Sequence, residues 1–206
     1  MGTATLQYNG QIEVRLTRDE QDEASRVAQL RHRSHRKIGR GDFKSRPQDD
    51  GRLLDLRGAL GEKAVSVAFG IPWDGHFKPL PEWDIWRRAG HDVSGIEVKS
   101  IHIRGRSLIL HEHSKPELPA VLVSIESRVL STLLGWCFTR DGQREEYRML
   151  TGDVPRGCYM VPQSDLRPMG ELFEILGVPV PGGEPEITGE DLMLALGDEC
   201  LGWLRC

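Results

Sequence analysis

The chain has 206 residues, of which 38% are hydrophobic and 28% charged, with a formal net charge of −4. That length suits one domain with decorations, or one domain and a small appendage, and the apolar content is enough for a core. No apolar run approaches the roughly 20 residues needed to cross a bilayer, and the opening MGTATLQYNG lacks the basic-then-apolar order of a signal peptide, so a soluble, intracellular and cytoplasmic protein is expected.

The distribution of charge is more informative than its sum. Ten Lys/Arg stand against four acids between Arg26 and Arg57, while residues 182–206 hold six acids and one arginine. A basic N-terminal third and an acidic tail result, which suits an anionic partner at one end and a protein partner at the other. Cys137, Cys158, Cys200 and Cys206 have no CxxC spacing, so neither a zinc knuckle nor a redox motif is indicated and reduced thiols are expected.

In chain order, IEVRLT (12–17) alternates as a strand does. Thr17 and Glu20 form a capping box before a helix expected from about Asp19 to Ile38, whose second half is the basic run RHRSHRK. Residues 52–70 form a second helix with Leu53, Leu56, Leu60, Ala64, Val67 and Ala68 at helical spacing; Gly61 inside it indicates close packing. A Trp-, Pro- and Gly-rich loop follows (72–90), whose Trp73, Trp83 and Trp86 suit covering a core better than stacking on bases. GIEVKSIHI (95–103) reads as a strand that pairs with LILHEH (108–113) across RGRS. AVLVSIE (120–126) and VLSTLLGWCF (129–138) read as further strands, QREEYRML (143–150) as a helix, CYMVP (158–162) as a strand and LFEIL as part of a short helix. PVPGGEPE (179–186) reads as a linker, with a second capping box at Thr188 and Asp191 before DLMLAL.

The chemistry concentrates in HDVSGIEVKS (91–100). Glu97 and Lys99 are two apart on a strand and leave the same face, while Ile96 and Val98 anchor the other. A carboxylate and an ammonium on an otherwise apolar strand are tolerable only when paired. Asp92, before the turn-forming Val-Ser-Gly, can lie across from Glu97. Two carboxylates so placed repel, and a hard divalent cation such as Mg²⁺ or Mn²⁺ relieves the repulsion. Such an ion lowers the pKa of a bound water beside a scissile phosphate, with Lys99 holding the water or stabilising phosphoryl charge. His111 and His113 flank Glu112, but no third ligand stands nearby, which favours a hydrogen-bonded or exposed pair over a zinc site. Tyr159 and Gln163 are read as packing residues.

DVSGIEVKS resembles the D-(x)n-(E/D)-x-K signature of the PD-(D/E)XK nuclease superfamily. GALGEKAVSVAFG looks like the helix that precedes this signature in many members, where a glutamate corresponding to Glu62 reaches the metal site. LILHEHSKPELPAVLVSIE, LLGWCFTR and YMVPQSDLRPMGEL are similar to the later strands and closing segment of nuclease-like proteins often seen in phage and mobile-element genomes. The similarity spans roughly residues 20 to 176. The short Asp92-to-Glu97 separation departs from members with a longer hairpin there, which makes Asp84 the alternative ligand.

The resemblance implies an α/β fold with a restriction-endonuclease-like core, its central sheet mixed, mostly antiparallel and flanked by helices. It implies a nuclease-like domain over 1–178, with a basic helical part at 18–50, and an acidic linker and tail over 179–206. It also implies Mg²⁺- or Mn²⁺-dependent hydrolysis of DNA. Asp92, Glu97, Lys99 and Glu62 are then the catalytic set, and Glu62, Asp92, Glu97 and the Val98 carbonyl the metal ligands. Arg31, Arg33, Arg36, Lys37 and Arg40 are expected to meet the phosphate backbone, giving salt-sensitive affinity without sequence choice. The rival readings are a non-catalytic nucleic-acid-binding module of nuclease-like fold and a phage structural or interaction protein that docks a partner through its acidic tail.

Overall fold

The computed structural model describes residues 1–37, 51–73, 75, 92–103, 105–149 and 158–182, with the side chains of 35–37 outside that set. Strand β1 (Thr3–Leu6) precedes β2 (Ile12–Arg15), α1 (Arg18–Lys37) and α2 (Gly51–Phe69). Then come β3 (Glu97–Ile101), β4 (Leu108–His111), β5 (Pro119–Ile125) and β6 (Leu130–Phe138). A single turn α3 (Thr139–Gly142), β7 (Arg148–Met149), β8 (Cys158–Val161) and α4 (Met169–Leu176) complete the described part.

The strands form two sheets. The larger has the order β1-β2-β6-β5-β3, antiparallel except for the parallel pair β3–β5; the smaller has the order β4-β8-β7. Period-two alternation sorts the side chains of β5. Val121, Val123 and Ile125 join the core shared with α1, α2 and α4, while Ala120 and Leu122 join a second cluster with Leu108, Leu110 and Val161. β5 is therefore buried at every position. The fold is α/β with a mixed, mostly antiparallel sheet and helices against it, as expected. The three longer helices share one face, however, and the small sheet covers the other.

Two sequence expectations fail on packing grounds. The 108–113 segment does not pair with β3. Leu108 and Leu110 both point into the second cluster, which places β4 over the sheet face beside β8, and β3 takes β5 as its neighbour. QREEYRML is not a helix: Glu145–Tyr147 form one 3-10 turn and Arg148–Met149 enter β7. With no apolar stripe, this segment has nothing to hold longer helical turns. Leu53, expected on the inner face of α2, is exposed. The termination of α1 at Gly39 and Gly41, the loop over 76–91 including Trp83 and Trp86, Cys200 and Cys206, and the capping box at Thr188 and Asp191 lie outside the described residues. Val178 and Val180 pack on the core and Leu6 donates its N–H to Pro181 O, so the domain's packing continues into the expected linker. Among the described residues no helix is long and apolar enough to cross a membrane.

The capping box forms: Thr17 N–H donates to Glu20 Oε2 at 2.8 Å and Glu20 N–H to Thr17 Oγ1 at 3.4 Å. Glu20 also accepts from Gly2 N–H at 3.0 Å. Burial works to raise the Glu20 pKa, but these backbone donors outweigh it and hold the carboxyl below its ordinary value. Glu20→Ala is expected to cost about 1 kcal/mol at neutral pH. The sign follows from a lowered folded-state pKa: the wild-type advantage is full above the ordinary carboxylate value near 4.5 and shrinks as pH falls through the lowered one, which urea denaturation across pH 2–7 measures.

Gly61 brings α2 onto β3. A Cβ added there would lie 2.0 Å from Ser100 Oγ and 3.3 Å from Ser100 Cβ. Gly61→Ala gains helix propensity of about 1 kcal/mol but overpacks this contact, for an expected net loss of about 1–2 kcal/mol. Adding Ser100→Ala restores most of it in thermal melts. The close approach matters because it carries Glu62, the next residue, to the edge of the sheet that holds β3.

Candidate active site

β3 is the edge strand of the five-stranded sheet among the described residues, and its entrance is built by a two-residue hairpin. Ser94 (φ 40°) and Gly95 (φ 89°) both take positive φ between the bridged residues Val93 and Ile96, the conformation of a type I′ turn. Ser94 is the only non-glycine with positive φ among the described residues. This turn folds Asp92 back along β3, where its Oδ2 accepts the Val98 N–H at 2.8 Å. A strand residue's N–H and C=O leave on the same side. The Val98 carbonyl therefore also points away from β5, toward the Asp92 edge.

Glu97 and Lys99 share a face, as the period of two requires. They point toward the small sheet, whereas Val98 packs into the helix-side core. Lys99 Nζ lies 2.7 Å from Glu97 Oε1, and Ser114 Oγ donates to the same oxygen at 2.8 Å. Glu97 Oε2 is buried and has no hydrogen-bond partner. An unpartnered buried carboxylate oxygen is costly, and it is the atom a bound cation would satisfy. Burial alone would lower the Lys99 pKa; the charges of Glu97 and then Asp92 outweigh it and raise the pKa, keeping the side chain an ammonium. Its side chain retains 28% exposure, so the group is reachable from solvent.

The turn after β4 supports this pair. Ser114 N–H donates to His111 O at 3.0 Å, and Gln143 Nε2 donates to both His111 O (2.8 Å) and Ser114 O (3.2 Å). The His111 and His113 rings stack at 5.3 Å. Burial, followed by the Lys99 charge, pushes the His111 pKa down, which keeps its imidazole neutral. Neither Ser114 nor Gln143 carries a local sequence signal, because each acts through a contact distant along the chain.

Glu62 sits on the other side of the strand edge, on α2. Both its oxygens are held by the Arg31 guanidinium, at 2.6 and 2.7 Å, and Trp73 Nε1 adds a bond to Oε2 at 3.0 Å. Arg31 and Glu62 are 15% and 7% exposed at their side chains. Burial drives the Glu62 pKa up despite Arg31, and the Asp92 charge adds to the rise. Two expectations are thereby revised. Arg31 directs its guanidinium at Glu62 instead of presenting it to a phosphate backbone, and a metal at Glu62 would compete with that bidentate pair and with Trp73. Both departures have one cause: a buried carboxylate demands a partner, and Arg31 is the cation that the α1–α2 pairing supplies. Trp73 is buried in the core, as expected.

Of the remaining basic residues, Arg33 is exposed on α1; the side chains of Arg36 and Lys37, and all of Arg40, lie outside the described residues, as does Asp84. Among the described residues, no three His, Cys, Asp or Glu side chains converge into a group able to hold a metal. What the strand edge offers is one buried, half-satisfied carboxylate (Glu97), a second carboxylate (Asp92) and the Val98 carbonyl, with the Lys99 ammonium 2.7 Å from Glu97 Oε1. That donor set is all oxygen, which fits Mg²⁺ or Mn²⁺ better than zinc. No protein-family model, curated protein or solved structure matches the chain.

Proposed function

We propose that the chain is a nuclease of the PD-(D/E)XK type, with the restriction-endonuclease-like core that type implies, and that it hydrolyses phosphodiester bonds in DNA with Mg²⁺ or Mn²⁺. The observation that carries the reading is the buried, unpartnered Glu97 Oε2 beside an ammonium held charged, with Asp92 bonded along the same strand. Glu97, Asp92 and the Val98 carbonyl would hold the ion, which supplies Lewis-acid stabilisation and a more acidic water. Lys99 orients the attacking water or neutralises charge on a phosphoryl oxygen. Ser114 saturates Glu97 Oε1 together with Lys99, which fixes the carboxylate and directs Oε2 elsewhere. Water adds across the P–O bond, leaving a phosphomonoester and a hydroxyl. Arg31 and Glu62 brace the strand edge beside Asp92.

A second reading, a DNA-binding module without turnover, is favoured by one observation: the Glu62 carboxylate is already neutralised by Arg31 and the Glu97 one by Lys99. Incubating supercoiled plasmid and linear duplex with Mg²⁺, Mn²⁺ or EDTA separates the two. Cleavage dependent on the metal supports the nuclease; salt-sensitive binding with intact DNA in every metal supports the module.

A further inference from the structure

We infer that the groove between α1 and α2 is a docking track for the sugar–phosphate backbone of a nucleic acid, separate from the edge of β3. This rests on the nucleic-acid reading above and assigns that partner a surface. The groove has a volume of about 590 Å³ and is lined by Ser25, Gln29 and His32 and by three arginines, Arg33, Arg52 and Arg128. These arginines come from α1, α2 and the turn between β5 and β6, and all three are exposed. Arg128 is held in place by donating from Nη2 to Ser25 Oγ at 2.8 Å. Asp55 is mostly buried, lies 3.3 Å from His32 Nδ1 and is not among the residues that line the groove. Ala28 and Leu56 form an apolar floor.

Spacing decides between a single phosphate and a strand. Arg128 is tethered at Ser25, eight residues before Arg33 on α1, which is about 12 Å of helix. One phosphate cannot span that distance, whereas successive phosphates along one strand can. Arginine suits the role because its planar fork meets phosphate oxygens in pairs. Contacts of this kind fix register without reading bases.

The test is fluorescence anisotropy of a labelled duplex in EDTA, so that no turnover intervenes, across a salt series. Arg33→Glu and Arg128→Glu are each expected to weaken binding by about tenfold or more at low salt, and to lower the log–log salt slope by about one unit per residue. Circular dichroism of both variants is expected to match the wild type, as both side chains are on the surface. Inorganic phosphate at constant ionic strength is expected not to displace the duplex. Unchanged affinity and slope in both variants overturn the inference. So does displacement by phosphate, or binding of polyglutamate in preference to DNA. Groove-dependent binding without cleavage in Mg²⁺ sustains the inference and overturns the hydrolase reading alone.

Discussion

Glu97→Gln is expected to lower metal-dependent DNA cleavage by about a thousandfold or more while the protein still folds and binds DNA. The substitution keeps the volume and one acceptor for Ser114 and Lys99, but it removes the charge that the unpartnered Oε2 carries. Lys99→Met is expected to reduce cleavage as strongly for a different reason, since it removes the ammonium that orients the water or neutralises phosphoryl charge, and it leaves the buried Glu97 carboxylate with Ser114 as its remaining partner. That variant also loses stability, and the double substitution Glu97→Gln/Lys99→Met recovers part of the loss because it removes the stranded charge. Cleavage of a labelled duplex together with urea denaturation reads both effects. Equal cleavage by the wild type and both variants would remove this strand edge from the chemistry.

The largest effect on stability is expected at the Arg31–Glu62 pair. Glu62→Ala leaves the Arg31 guanidinium, 15% exposed, facing the vacated site and removes the acceptor of Trp73 Nε1. Breaking a buried pair on one side costs about 3–5 kcal/mol, because the remaining charge keeps its desolvation penalty. Arg31 also feels Asp92 and Asp55, which softens the loss without replacing a bidentate partner. Replacing both members with apolar groups of similar volume, as in Arg31→Met/Glu62→Leu, is expected to cost far less than Glu62→Ala. Equilibrium unfolding of the three variants gives the comparison. A double variant no more stable than Glu62→Ala would show that the pair holds α1 to α2 by something other than mutual neutralisation.

Much of the frame was legible because it is written locally. Thr17 and Glu20 start α1 through a four-residue motif, and Gly61 marks a close approach because no other residue leaves that space. The period of two puts Glu97 and Lys99 on one face whatever the sheet's topology. The pairing of β4 was not legible: the alternation of Leu108 and Leu110 specifies a buried face but not which strand lies beside it. β1 carries little signal because TATL is short, mostly exposed and has β2 as its one neighbouring strand among the described residues. The Arg31–Glu62 pair joins residues 31 apart on two helices, and RHRSHRK reads as a solvated basic face until α2 packs against it. Composition shows that the segment is basic; only packing shows which arginine turns inward and which, like Arg33, stays out.

A crystal soaked in Mn²⁺ and measured at the manganese absorption edge tests the central claim most directly. The account predicts one anomalous peak against β3, within coordinating distance of Glu97 Oε2, an Asp92 oxygen and the Val98 carbonyl, and predicts its loss in Glu97→Gln. Anomalous density only elsewhere on the molecule, or a peak unchanged by that substitution, would contradict it.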